Sequence, residues 1–156
     1  MVDFSFVPII TGVGGAVIGA WITVSRAKYA AYSSDFSKRV EHALSLISEK
    51  ADCSCLFWLN PKDANKLKIN SQYITGLRGS LVALIDAMDK DYKGFKKPEL
   101  VNALFKFNEA CTGGDFPQLT AEDGSKKIST ILVTAETLKT EIFRARIKNY
   151  HWVMGF

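Results

Sequence analysis

The sequence has little of what catalytic and metal centres are made from. Two histidines and three cysteines stand among its 156 residues. His42 and His151 have no nucleophile placed beside them by any motif, which argues against a triad. Cys53, Cys55 and Cys111 are odd in number and irregularly spaced, so no disulfide framework follows. Cys53-Ser54-Cys55 lacks the second ligand pair that a zinc site needs. The three read as small half-buried thiols of a reducing compartment. Asp86, Asp89 and Asp91 cluster, yet the fixed glycine and closing glutamate of a calcium loop are missing. Lys90 and Lys93 are placed to moderate their repulsion. The chain therefore reads as non-enzymatic, with no metal and no cofactor.

Charge of one sign is also scarce. Twenty Lys and Arg against sixteen Asp and Glu leave +4, spread along the chain and mixed in sign. Nucleic-acid domains concentrate basic residues on one face. A scattered excess reads as a solvated helical surface and points to no nucleic-acid partner.

The longest absence is of charge itself. Residues 4 to 24, FSFVPIITGVGGAVIGAWITV, contain no Asp, Glu, Lys, Arg or His. A helix of that length reaches about 30 Å, the thickness of the hydrocarbon core. Pro8 falls in the first turns, where a missing N–H is tolerated, and Trp21 near the far end, where an amphipathic ring favours the interface. A cleaved signal peptide wants a basic start and small residues at the cut, and neither is present. Gly12-Val13-Gly14 starts a dinucleotide fingerprint, but Val17 stands where the third small residue belongs and no strand–helix alternation follows. The segment is expected to span a membrane. Arg26, Lys28, Lys38 and Arg39 follow it and only Asp3 precedes it, so the positive-inside rule places the N-terminus outside and the C-terminal domain in the cytoplasm, at an inner membrane.

Small residues recur every fourth position within that span. Gly15 and Gly19 form GxxxG, and Gly12, Ala16 and Ala20 make a second ridge. Such ridges let helix backbones approach closely, so the expected partners are membrane lipid and further copies of the chain, a homo-oligomer.

Beyond Arg26 the periodicity is helical. Tyr29, Tyr32, Phe36, Val40, Ala43 and Ile47 recur at spacings of three and four. Asn60-Pro61 reads as a cap and first turn of a second helix running to about Tyr92, with Tyr73, Leu77, Leu81, Leu84, Met88 and Tyr92 on its apolar face and Gly76 and Gly79 as marks of close contact. Pro98 opens a third helix with Leu100, Val101, Leu104, Phe105 and Phe107, stopped by Gly113-Gly114. Thr120 caps a fourth, with Glu122 and Asp123 at its positive end and a stripe of Ile128, Ile131, Ala135, Leu138, Ile142 and Ala145. Short loops between amphipathic helices predict an all-α fold: an N-terminal transmembrane helix (1-25), then an antiparallel four-helix bundle (26-156).

Two further groups of residues are candidate contacts. Gly113, Gly114, Asp115 and Phe116 form a loop that reads as an exposed contact or anion nest, or as a helix stop with Phe116 plugging the bundle end. Arg144, Arg146 and Lys148 precede Trp152 and Phe156, a basic and aromatic pattern suited to a membrane surface.

The aromatic pair Phe57-Trp58, the Thr112-Gly113-Gly114-Asp115-Phe116 loop and the terminal Arg144-Ala145-Arg146 together resemble a group of small bacterial proteins with one N-terminal membrane helix and a helical cytoplasmic body. Pro117 departs from that group, which tends to have an acidic residue after the phenylalanine. The resemblance implies topology and no chemistry. The expected function is a membrane-anchored interaction protein with a cytoplasmic protein partner; the alternative is a membrane-active effector that oligomerises in the bilayer. A pore wants polar residues along one side of the span, and only Ser5, Thr11 and Thr23 offer them.

Overall fold

The computed structural model describes the backbone of residues 7–60, 63–64, 68–114, 116 and 124–154, and the side chains of these from residue 18 onward except 124–125 and 147–154. Among the described residues there is no strand. The fold is all-α, and the long helices among the described residues are α1 (Val7–Leu59), α2 (Ser71–Asp91), α3 (Lys97–Thr112) and α4 (Gly124–Met154). Two compact units divide the chain, residues 1–35 and 36–156.

In the first unit α1 is continuous from Val7. Residues 18 to 28 are exposed on every face of the helix, including Ile18, Trp21 (70% exposed), Ile22 and Val24. Among the described residues no helix is long and apolar enough to cross a membrane. The side chains of 1–17, most of the stretch expected to span, lie outside the described residues.

In the second unit four helices pack around one core. The run from Ala20 to Asn60 contains no glycine or proline, so nothing interrupts α1 until Asn60, which precedes Pro61. Phe36, Val40, Ala43 and Ile47 are fully buried, and Ala51, Phe57 and Trp58 extend the stripe. The opposing stripes are Ile74, Leu77, Leu81, Ile85 and Met88 on α2, Leu100, Leu104 and Phe107 on α3, and Ile131, Ala135, Leu138, Ile142 and Ala145 on α4. The last agrees with the periodicity almost residue for residue; Ile128 is only half-buried.

Side-chain pairings fix the helix directions. Arg39 meets Asp91 and Glu49 meets Tyr73, so α2 runs against α1. Phe36 packs edge-on to Phe95, Lys50 bonds Asn108 and Trp58 bonds Cys111, so α3 runs with α1. Ser37 meets Arg146 and Trp58 meets Lys127, so α4 runs against it. The result is an up-down-up-down bundle.

Several expectations need correction. The second helix begins at Ser71, ten residues after Pro61. Asn70 is its cap, its side chain accepting from the Tyr73 N–H at 2.8 Å. Asn60 does accept from the Asp63 N–H, but at 3.4 Å, and Lys68 adopts φ 59°, a left-handed conformation that no helix can pass through. On the apolar face of α2, Leu77, Leu81, Met88 and Tyr92 are buried as expected, but Ile74 and Ile85 are buried in place of Tyr73, which is exposed, and Leu84, which is half-buried. Gly76 and Gly79 mark no close contact, since a Cβ on either would meet open space. Val101 and Phe105 (62% exposed) lie outside the core of α3. The expected cap at Thr120, with Glu122 and Asp123, lies outside the described residues.

Candidate functional site

The end of the bundle where α1 and α3 finish and α4 begins gathers aromatic and polar groups. A helix leaves its last carbonyls without intrahelical partners. Those of α3 are met from two other helices. Trp58 Nε1 on α1 donates to the Cys111 carbonyl at 3.0 Å, and Lys127 Nζ on α4 donates to the Gly113 carbonyl at 2.6 Å. The Lys127 ammonium also sits 4.0 Å from the centre of the Trp58 ring, a cation–π contact. Phe116 stacks on Phe57 and Trp58, with ring centres 5.3 and 6.1 Å away.

The two glycines of the loop have separate duties. The Gly113 N–H donates to the Glu109 carbonyl at 2.6 Å, and a Cβ on Gly113 would stand 2.4 Å from that same oxygen. Gly114 has φ +71°, the left-handed region where glycine is at no disadvantage. The loop thus stops α3 and sets Phe116 as a plug. Asp115 lies outside the described residues. Beside the loop a cleft of about 560 Å3 opens between α3 and α4, lined by Lys106, Glu109, Gly113, Gly114, Lys126 and Lys127 among others.

One turn into the bundle lies a polar cluster that the sequence pattern conceals. Lys50 is fully buried and donates to Asn108 Oδ1, with its ammonium 5.1 Å from the centre of the Phe107 ring. Burial pulls its pKa down to about 8, with the Cys111 side chain opposing and Arg78 adding to the fall. The Ser54 hydroxyl is buried without a well-formed hydrogen bond; the Cys111 thiol is a polar neighbour. Burial pushes the Cys111 thiol up, and Lys50 and Ser54 pull the other way. The available signal was that Lys50 and Ser54 continue the apolar stripe of Ala43 and Ile47 at helical spacing.

Other expected residues fall elsewhere. His42 is exposed. The three aspartates of α2 have partners on other elements: Asp86 pairs with Lys97, Asp89 accepts from the Lys97 backbone N–H at 2.8 Å, and Asp91 pairs with Arg39 at 2.8 Å. Arg144 pairs with Glu141, and Arg146 donates to Ser37 Oγ at 3.1 Å. The side chains of Lys148 and Trp152, and Phe156 entirely, lie outside the described residues. Gly19 is exposed with open space around it; the side-chain surroundings of Gly12, Gly15 and Ala16 lie outside the described residues. Comparison with known family models, curated proteins and solved structures finds no match.

Proposed function

We propose that the chain is a membrane-anchored, non-enzymatic interaction protein that self-associates through its N-terminal helix and presents a helical bundle to a cytoplasmic partner. The observation that carries this reading is the exposure of Ile18, Trp21, Ile22 and Val24 along one side of α1. An exposed apolar helix face normally finds a partner, and lipid would cover this one. The uncharged sequence of residues 4 to 24 supports the same placement. GxxxG at Gly15 and Gly19 supports self-association. The outer faces of α3 and α4 supply apolar surface for a partner: Phe105, Leu132 and Val133 are exposed. The inner membrane with the C-terminal domain inside follows from the flanking charges.

Alkaline carbonate washing of membranes tests the anchor. Full-length chain is expected in the pellet, and a chain lacking residues 1–25 in the supernatant. Full-length chain released by the wash overturns the reading.

A further inference from the structure

The cleft between α3 and α4 carries cations on both of its walls, Lys106 on α3 and Lys126 and Lys127 on α4. Building on the interaction role proposed above, we propose that this cleft and the outer side of α4 that continues it are the docking surface for an acidic peptide segment of the cytoplasmic partner. Its carboxylates meet Lys106, Lys126 and Lys127, and an apolar side chain of the peptide covers Val133.

The surface is elongated. Two hollows of about 560 Å3 each follow one another along α4. The first reaches Thr130 and Thr134, and the second runs from Leu132 and Val133 to Arg144. Thr130, Val133 and Thr137 recur at spacings of three and four, so they share one side of the helix. From Lys126 to Arg144 that side is about 27 Å long. A chain of about eight extended residues covers it, which suits a peptide better than a small molecule. Val133, at 63% exposed, supplies an apolar anchor among threonines and charges.

The sign of the partner follows from which charges are already matched. Towards Arg144 the surface is internally paired, Glu136 with Lys139 and Glu141 with Arg144. In the cleft Lys106 and Lys126 are exposed, and among the described residues neither has an ion-pair partner. Three lysines against one glutamate, Glu109, leave the cleft lining at +2. Such an excess steers an acidic segment towards the cleft and turns a basic one away.

One of these cations is held in place before any partner arrives. Lys127 Nζ donates to the Gly113 carbonyl and lies 4.0 Å from the centre of the Trp58 ring. An ammonium has three N–H groups, and the single carbonyl does not use them all. A cation fixed in advance costs less side-chain entropy on binding than one that must be ordered.

Fluorescence anisotropy of the full-length chain in nonionic detergent tests this, with a fluorescein-labelled peptide of alternating glutamate and leucine as the probe. Saturable binding that weakens with salt is expected. Lys106→Gln with Lys126→Gln weakens it about fivefold, the scale of two exposed ion pairs, and Val133→Ser weakens it several-fold. These side chains are exposed, so the variants keep the fold. Lys38→Gln with Lys90→Gln removes the same charge elsewhere and leaves the affinity unchanged. Carbonate washing reads the anchor alone, so peptide binding lost with the anchor kept strikes only the docking surface. The proposal is overturned by equal weakening in the two double variants, by equal binding of a peptide with glutamine in place of glutamate, or by tighter binding of a single-stranded thymidine oligonucleotide. It is also overturned if Lys106→Gln with Lys126→Gln lowers the particle mass in light scattering, which marks the face as a contact between copies.

Discussion

The indole of Trp58 donates to the main-chain carbonyl of Cys111, 53 positions further along the chain and on another helix. Together with Lys127 it supplies a C-terminal cap to α3 from outside α3, where most helices end on their own backbone. Trp58→Phe keeps most of the ring and removes the donor. A buried acceptor left unmade costs about 1–3 kcal/mol. Urea unfolding of the variant is expected to show that loss with an unchanged slope; an unchanged midpoint would mean that water replaces the indole at no cost.

The glycines of the loop are expected to differ in cost. Gly114→Ala places an alanine at φ +71°, with its Cβ 3.3 Å from Lys127 Nζ, the far end of a flexible side chain. The backbone penalty is about 1–2 kcal/mol. Gly113→Ala forces a Cβ to within 2.4 Å of the Glu109 carbonyl, so the last turn of α3 must move and the Trp58 and Lys127 bonds with it. Thermal unfolding should rank Gly113→Ala as the more damaging. The reverse order would place the strain at Gly114 and leave the α3 terminus free to adjust.

Lys50 predicts a pH dependence. Its folded value near 8 lies below the ordinary 10.5. Between those values the unfolded chain holds the proton and the folded chain releases it, so the Lys50 contribution to stability rises with pH through this window and is flat below it. The full change is on the order of 3 kcal/mol. Cys111 and Tyr73 are both raised, the first chiefly by burial and the second by its hydrogen bond to Glu49, and they act in the opposite sense at high pH. Lys50→Met isolates the lysine: the stability of parent minus variant should climb between pH 8 and 10.5. A difference independent of pH would show that the ammonium is solvated in the fold.

Gly15→Ile with Gly19→Ile tests the ridge in the first unit. Larger side chains keep two backbones apart. Crosslinking between copies in native membranes is expected to fall several-fold, with carbonate resistance kept. Undiminished crosslinking would leave the glycines with no part in association.

The stripes of the core were legible because burial on one side of a helix imposes a 3.6-residue period, and Phe36 to Ile47 or Ile131 to Ala145 carry it without exception. The loop stop at Gly113-Gly114 was legible for a similar reason, since glycine is the residue that tolerates both crowding and positive φ. The start of α2 was not. Its break depends on Lys68 in a left-handed conformation, which a lysine does not announce, and Asn60-Pro61 made a credible start too early. The polar cluster escaped because Lys50 and Ser54 sit where the stripe calls for apolar residues. A lysine has a long aliphatic stem, and only its partners, Asn108 and Phe107, distinguish a buried one from a residue leaning out to water.

A helix whose last carbonyls are held by its neighbours has no loose end of its own. For the final turn of α3 to fray, Trp58 must release Cys111 or Lys127 must release Gly113, and each release exposes part of the Phe57, Trp58 and Phe116 stack. Opening there is therefore coupled to separation of α1 and α4. The amides of the last turn of α3 should exchange with solvent at the slow rate of the whole bundle, making this terminus a part of the cooperative unit instead of its margin.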